Sequence, residues 1–131
     1  MIKRNVSKIA STNDYKRKIY VIVPPAAGHV NPVSGLVHEL AKQPDIDVIF
    51  YSNEEYRETV EKTGAQYRPY VKFESKTVFC KSLLETTEPS VLSLSDQFID
   101  VAYDVLPQLI ADYHKEKPEL IIYDTICLPA K

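Results

Sequence analysis

Residues Ile19–Leu40, IYVIVPPAAGHVNPVSGLVHEL, decide the fold. The apolar run Ile19–Val23 is long enough for one buried strand. Pro24 and Pro25 end it, because proline has no N–H to give to a sheet ladder. Ala26, Ala27 and Gly28 are small, so the backbone can turn tightly and another molecule can approach it closely. Asn31 suits a helix N-cap and Pro32 the first helical position. Val33, Leu36, Val37, Leu40 and Ala41 then fall at i, i+3, i+4, i+7 and i+8, a single helical stripe. The unit reads strand, small-residue loop, helix, with His29 in the loop at the carboxyl end of a strand. Open α/β sheets place their ligands at such ends.

Working outward, the same alternation continues. Asp47–Ser52 (DVIFYS) is rich in β-branched and aromatic residues and reads as a second strand. Asn53 is placed to cap a helix over Glu54–Thr63, and Gly64 to stop it. Gln66–Val71 is a third extended segment, which Pro69 pushes toward a sheet edge. Phe73–Pro89 has no clear period and reads as a long loop with room for one helical turn. A long helix starts at Ser93 or Ser95 and ends near Lys115. Its expected apolar face is Phe98, Val101, Ala102, Val105, Leu109, Ile110 and Tyr113, with Pro107 kinking or splitting it. Glu119–Tyr123 is a fourth strand, ending at Asp124. The order β-α-β-α-β-loop-α-β implies an α/β fold, a Rossmann-like parallel sheet with flanking helices.

Composition bounds the function. The chain has 131 residues, 44% hydrophobic and 26% charged, with a net charge of −2. That range fits one globular domain or part of a larger one, and it lacks the excess positive charge of a general nucleic-acid binder. Lys3, Arg4, Lys8, Lys16, Arg17 and Lys18 crowd the start, leaving ten basic against seventeen acidic residues beyond them. Residues 1–17 read as a basic, poorly ordered arm, and residues 18–131 as the folded part. No apolar run approaches membrane-spanning length. The two cysteines, Cys80 and Cys127, have no metal or redox spacing, which favours free thiols in a reducing, cytoplasmic setting.

Two residues are placed to carry chemistry. A neutral imidazole at His29 can take a proton from a hydroxyl near neutral pH, and a nearby helix N-terminus favours the neutral form. Spacing alone leaves a second reading open, in which His29 only hydrogen-bonds the loop. Strands one and four end on one edge of a parallel sheet. Asp124 can therefore meet His29, hold its other ring N–H and stabilise the cation formed on proton transfer. Taken alone, Asp124 would read as a turn cap. His38 reads as a surface histidine, His114 as a helix-end residue, and Tyr51, Tyr56, Tyr67 and Tyr70 as packing residues. PPAAGHVNP lacks both the dinucleotide fingerprint and a Walker lysine, and no His/Cys/carboxylate set has metal spacing.

VPPAAGHVNPVSGLVHELAKQ, then DVIFYSNEEYRETVEKTGAQYRPY, then KPELIIYD, together resemble the N-terminal half of UDP-sugar-dependent glycosyltransferases. The nearest group is the macrolide and natural-product glycosyltransferases, in the superfamily that holds the UDP-glucuronosyltransferases. The resemblance implies the incomplete N-terminal, acceptor-side half of a two-domain GT-B fold. It implies a hexosyltransferase that uses a UDP-sugar donor and a small-molecule hydroxyl acceptor, with inversion and with no metal or cofactor. By resemblance, His29 is the catalytic base and Asp124 its carboxylate partner, while Gly28 and Asn31 line the substrate. The segment Phe73–Pro89 would help recognise the acceptor. A missing or separate C-terminal domain would grip the nucleotide, so the isolated chain is expected to be inactive. The competing expectation is a non-catalytic binding or regulatory module built on the same fold and paired with a catalytic chain. A generic nucleotide-binding domain is weaker still, for want of the glycine fingerprint.

Overall fold

The computed structural model describes residues 15–72 and 91–124, and for 91–98 the backbone only. The expected loop Phe73–Pro89, both cysteines, and the segments 1–14 and 125–131 lie outside the described residues. Within them the order is β1 (Arg17–Ile22), α1 (Ala27–Ala41), β2 (Ile46–Ser52), a 3₁₀ turn (Glu54–Tyr56), α2 (Arg57–Lys62), β3 (Gln66–Pro69), α3 (Val91–Glu116) and β4 (Leu120–Tyr123). The four strands form one parallel sheet in the order β3-β2-β1-β4. Arg17, read as the end of the arm, is the first residue of β1 and pairs with Ile46. Among the described residues β3 is an edge strand and ends at Pro69, a position that tolerates a residue without an N–H.

Strand side chains alternate between two cores. Val21, Val23, Val48 and Phe50 face α1 and α2, where Val30, Val37 and Val60 cover them. Tyr20, Ile22, Ile49 and Tyr51 face α3, where Val105 and Leu109 cover them. All of these residues are buried. The sheet is thus a middle layer with helices on both faces, the usual solution for parallel strands.

Three expectations about the helices are corrected. First, α1 starts at Ala27, not after Asn31. Its N-cap is Ala26, whose carbonyl accepts the amides of both His29 and Val30 at 2.9 Å. Pro32 therefore sits in the second turn, where it has no N–H to return to the Gly28 carbonyl. Burial of Val30, fully inaccessible on the same side as Val37, outweighs that lost bond; Leu36, expected on the stripe, is 51% exposed. Second, Glu54–Thr63 divides into the 3₁₀ turn and α2, and the Asn53 side chain makes no capping bond. Third, α3 runs unbroken through Pro107, and its wide apolar face is really two. Val101, Val105 and Leu109 pack on the sheet, whereas Ile110 and Tyr113 are exposed, as are Ile99 and Tyr103.

Polar side chains tie α3 to three strands. The Tyr51 hydroxyl donates to Asp112 Oδ2 (2.8 Å), and the Tyr20 hydroxyl to the Asp112 carbonyl (3.2 Å). Arg68 Nη1 donates to the Tyr51 hydroxyl (3.1 Å) and pairs with Glu116 (2.9 Å), which also takes Lys18 Nζ (3.1 Å). The Arg68 guanidinium lies over the rings of Tyr20 and Tyr51. Burial, and then the bond to Asp112, push the Tyr51 phenol well above the usual tyrosine range. At Glu116 burial acts to raise the carboxyl, but the hydrogen bonds and charges of Arg68 and Lys18 outweigh it and hold the group low.

Two predictions follow from this packing. The folded carboxyl of Glu116 titrates below its unfolded value of 4.5, so its contribution is fully present above about pH 4.5 and is lost as pH falls through the lower folded value. Glu116→Gln is expected to be less stable than the parent at pH 7, with the gap closing below about pH 4.5 in urea unfolding. Gly64 has φ of 88°, and an added Cβ would stand 3.3 Å from Ala41 Cβ. Gly64→Ala should cost about 1–2 kcal/mol, read from the urea midpoint at unchanged slope.

Candidate active site

β1 and β4 pair in parallel from Ile19↔Leu120 to Ile22↔Tyr123. Asp124 directly follows β4, and its amide still reaches the Ile22 carbonyl at 3.4 Å. That leaves the carboxylate at the carboxyl edge of the sheet, beside the link from β1 to α1. His29 comes down to the same place from the first turn of α1. Its Nδ1 lies 2.8 Å from Asp124 Oδ2. A carboxylate only accepts, so Nδ1 carries a proton, and in the neutral ring Nε2 is the nitrogen with the free lone pair. Among the described residues the two side chains are 26% and 27% accessible, half-sheltered. The arrangement fixes one tautomer of an imidazole, leaves its other nitrogen basic, and holds an anion against the cation that protonation would create.

The other expected site residues lie on the same helix. Gly28 is in the first turn rather than in a loop, exposed, with open space where a Cβ would project. Asn31 is exposed in the second turn and caps nothing, because the helix starts before it. His38 is exposed and its Nδ1 reaches the Thr63 carbonyl at 3.3 Å; His114 is in the last turn of α3.

Tyr70 is more than a packing residue. Its ring stacks on Tyr51, and its buried hydroxyl donates to the Val23 carbonyl at 3.1 Å. Val23 is the residue from which the chain leaves the sheet toward His29. No spacing in the sequence connects positions 23 and 70. The only local signal is the Pro24–Pro25 pair, which leaves the link short of amide donors.

A parallel α/β sheet with a histidine–carboxylate pair at its carboxyl edge defines a Rossmann-like unit with a candidate proton-transfer site. Comparison with known proteins makes this specific. No family model matches the sequence. The chain is 33% identical over 116 residues to the NDP-glycosyltransferase YjiC of Bacillus subtilis, a match covering 88% of this chain and 28% of that protein. Among solved structures, the glycotransferase of kitacinnamycin superposes with a TM-score of 0.70 at 26% identity, over 88% of this chain and 27% of the other. CalG4, the calicheamicin glycosyltransferase, superposes with a TM-score of 0.71 at 23% identity, over 88% and 28%. Over most of its length the chain is similar in sequence to an NDP-glycosyltransferase and in fold to natural-product glycosyltransferases. It spans about a quarter of the length of the relatives it matches. Among the described residues, no helix is long and apolar enough to cross a membrane.

The geometry predicts a tautomer. Imidazole ¹⁵N shifts should show His29 with its proton on Nδ1 in the parent chain. In Asp124→Asn, which keeps the shape but removes the anionic acceptor, that preference should weaken while the backbone spectrum is retained.

Proposed function

We propose that this chain is the acceptor-side part of an inverting glycosyltransferase in which His29 is the general base and Asp124 its partner. The observation that carries the reading is the 2.8 Å contact between His29 Nδ1 and Asp124 Oδ2 at the carboxyl edge of the sheet. In the reaction, Nε2 of His29 takes the proton of an acceptor hydroxyl. The acceptor oxygen bonds to the anomeric carbon of the donor sugar from the face opposite the leaving group. The bond from that carbon to the diphosphate oxygen breaks, and the nucleoside diphosphate departs with the electron pair. Asp124 stabilises the imidazolium while it exists. The donor is a UDP-sugar, held mainly by residues outside this chain. Gly28 and Asn31, exposed on the first two turns of α1, are the residues that would line the acceptor beside His29.

The name of the Bacillus subtilis relative supports a nucleoside-diphosphate sugar as donor, and the short span of the match gives the expectation that this chain alone does not turn over. Mixed with UDP-glucose and a phenolic acceptor, the isolated chain should release no UDP; release would overturn that part of the proposal. Joined in frame to the unmatched remainder of the Bacillus subtilis relative, it should transfer glucose. His29→Ala should then lower kcat by roughly 10²–10⁴-fold with the circular dichroism unchanged. Full transfer by His29→Ala would sink the assignment of the base.

A further inference from the structure

The link that carries His29 is short of its own anchors. Between β1 and α1 lie Pro24 and Pro25, which have no N–H, so the link must be held by its carbonyls and by the side chains it delivers. On the β4 side it is held by the Ile22 carbonyl, which accepts the Asp124 amide, and by His29 on the Asp124 carboxylate. On the β3 side a side chain reaches it from beyond the end of β3 and across β2. That side chain is Tyr70, whose hydroxyl donates to the Val23 carbonyl.

Tyr70 is itself fixed from several directions. Its amide donates to the Ser52 carbonyl at 3.3 Å. Gln108 of α3 brackets it, donating from Nε2 to the Pro69 carbonyl and accepting the Val71 amide at Oε1, both at 2.9 Å. Its ring stacks on Tyr51, with centroids 5.8 Å apart and planes at 29°, and Tyr51 is held by Asp112 and Arg68. The residue is only 8% exposed. So rigid a side chain ending on one backbone carbonyl constrains what that carbonyl leads to.

We propose that Tyr70 is a positioning residue for His29: by holding the Val23 carbonyl, it sets the height at which α1 begins and so the meeting of His29 Nδ1 with Asp124. The inference rests on the reading of His29 and Asp124 as a working pair, and it adds a residue two strands away to that site. Tyr70 acts through the backbone between Val23 and His29.

The test needs no turnover and uses the 131-residue chain. The His29 ring proton on Nδ1 is followed by ¹⁵N-edited NMR, with its exchange rate against water as the readout. In the parent chain it should be visible and slow. In Tyr70→Phe, which keeps the ring and removes only the hydroxyl, it should exchange about tenfold faster, the scale set by loss of one hydrogen bond. Gly64→Ala, destabilised at the far end of α1, should leave it unchanged, which separates positioning from general loosening. Replacing Tyr70 with 4-aminophenylalanine restores a donor at the same place and should restore slow exchange; it also decides the question if the phenylalanine variant folds poorly. An unchanged rate in a folded Tyr70→Phe overturns the positioning role and leaves the histidine–carboxylate pair standing. A parent chain with no protected ring proton removes both.

Discussion

Parallel pairing of β1 with β4 is the constraint on which the site depends. His29 and Asp124 are 95 positions apart and share no local structure. They meet because the ladder from Ile19↔Leu120 to Ile22↔Tyr123 brings both strands to one edge in step. A shift of one residue in that register would turn Ile121 and Ile122 to the wrong cores and carry Asp124 away from the helix. The burial that fixes the register therefore fixes the geometry of the chemistry too.

The second determinant is the way α3 is seated. Apolar contact through Val101, Val105 and Leu109 would allow the helix to slide along the sheet. The directional bonds of Asp112, Glu116 and Gln108 do not, because their partners are fixed points on the strands: Tyr20 and Tyr51 for Asp112, Lys18 and Arg68 for Glu116, and Pro69 for Gln108. This network shelters charge beside aromatic rings, and it is satisfied rather than strained. Arg68 has two carboxylates and a phenol, and Glu116 has two cations. Such a cluster sets position more than it adds net stability, since withdrawing charges from water offsets much of the attraction.

Much of this was legible in the sequence. The strand and helix alternation gave the parallel sheet, and the placing of His29 and Asp124 after two strands gave their neighbourhood. What escaped was decided by tertiary packing. Asn31 and Pro32 carry a strong helix-start signal, yet Val30 is drawn into the core and the helix begins earlier. Asn53 looks like a cap, yet its buried side-chain amide makes no capping bond and finds no partner among the described residues. The face of α3 looked single because periodicity counts apolar residues without saying which of them the sheet can reach. Tyr70 looked like packing because a hydroxyl's reach across two strands leaves no trace in spacing.

The exposed side of α3 has a consequence of its own. Ile99, Tyr103, Leu106, Ile110 and Tyr113 follow one another at intervals of four, three, four and three, the spacing of a helix seam. Beside that seam runs β4, an edge strand among the described residues, with Leu120 and Tyr123 half-exposed. Oily ridge and strand border, open among the described residues, would make association on that flank depend on company and dilution. Its measured melting temperature would be a property of the solution as much as of the sequence, rising or falling with whatever settles on that flank.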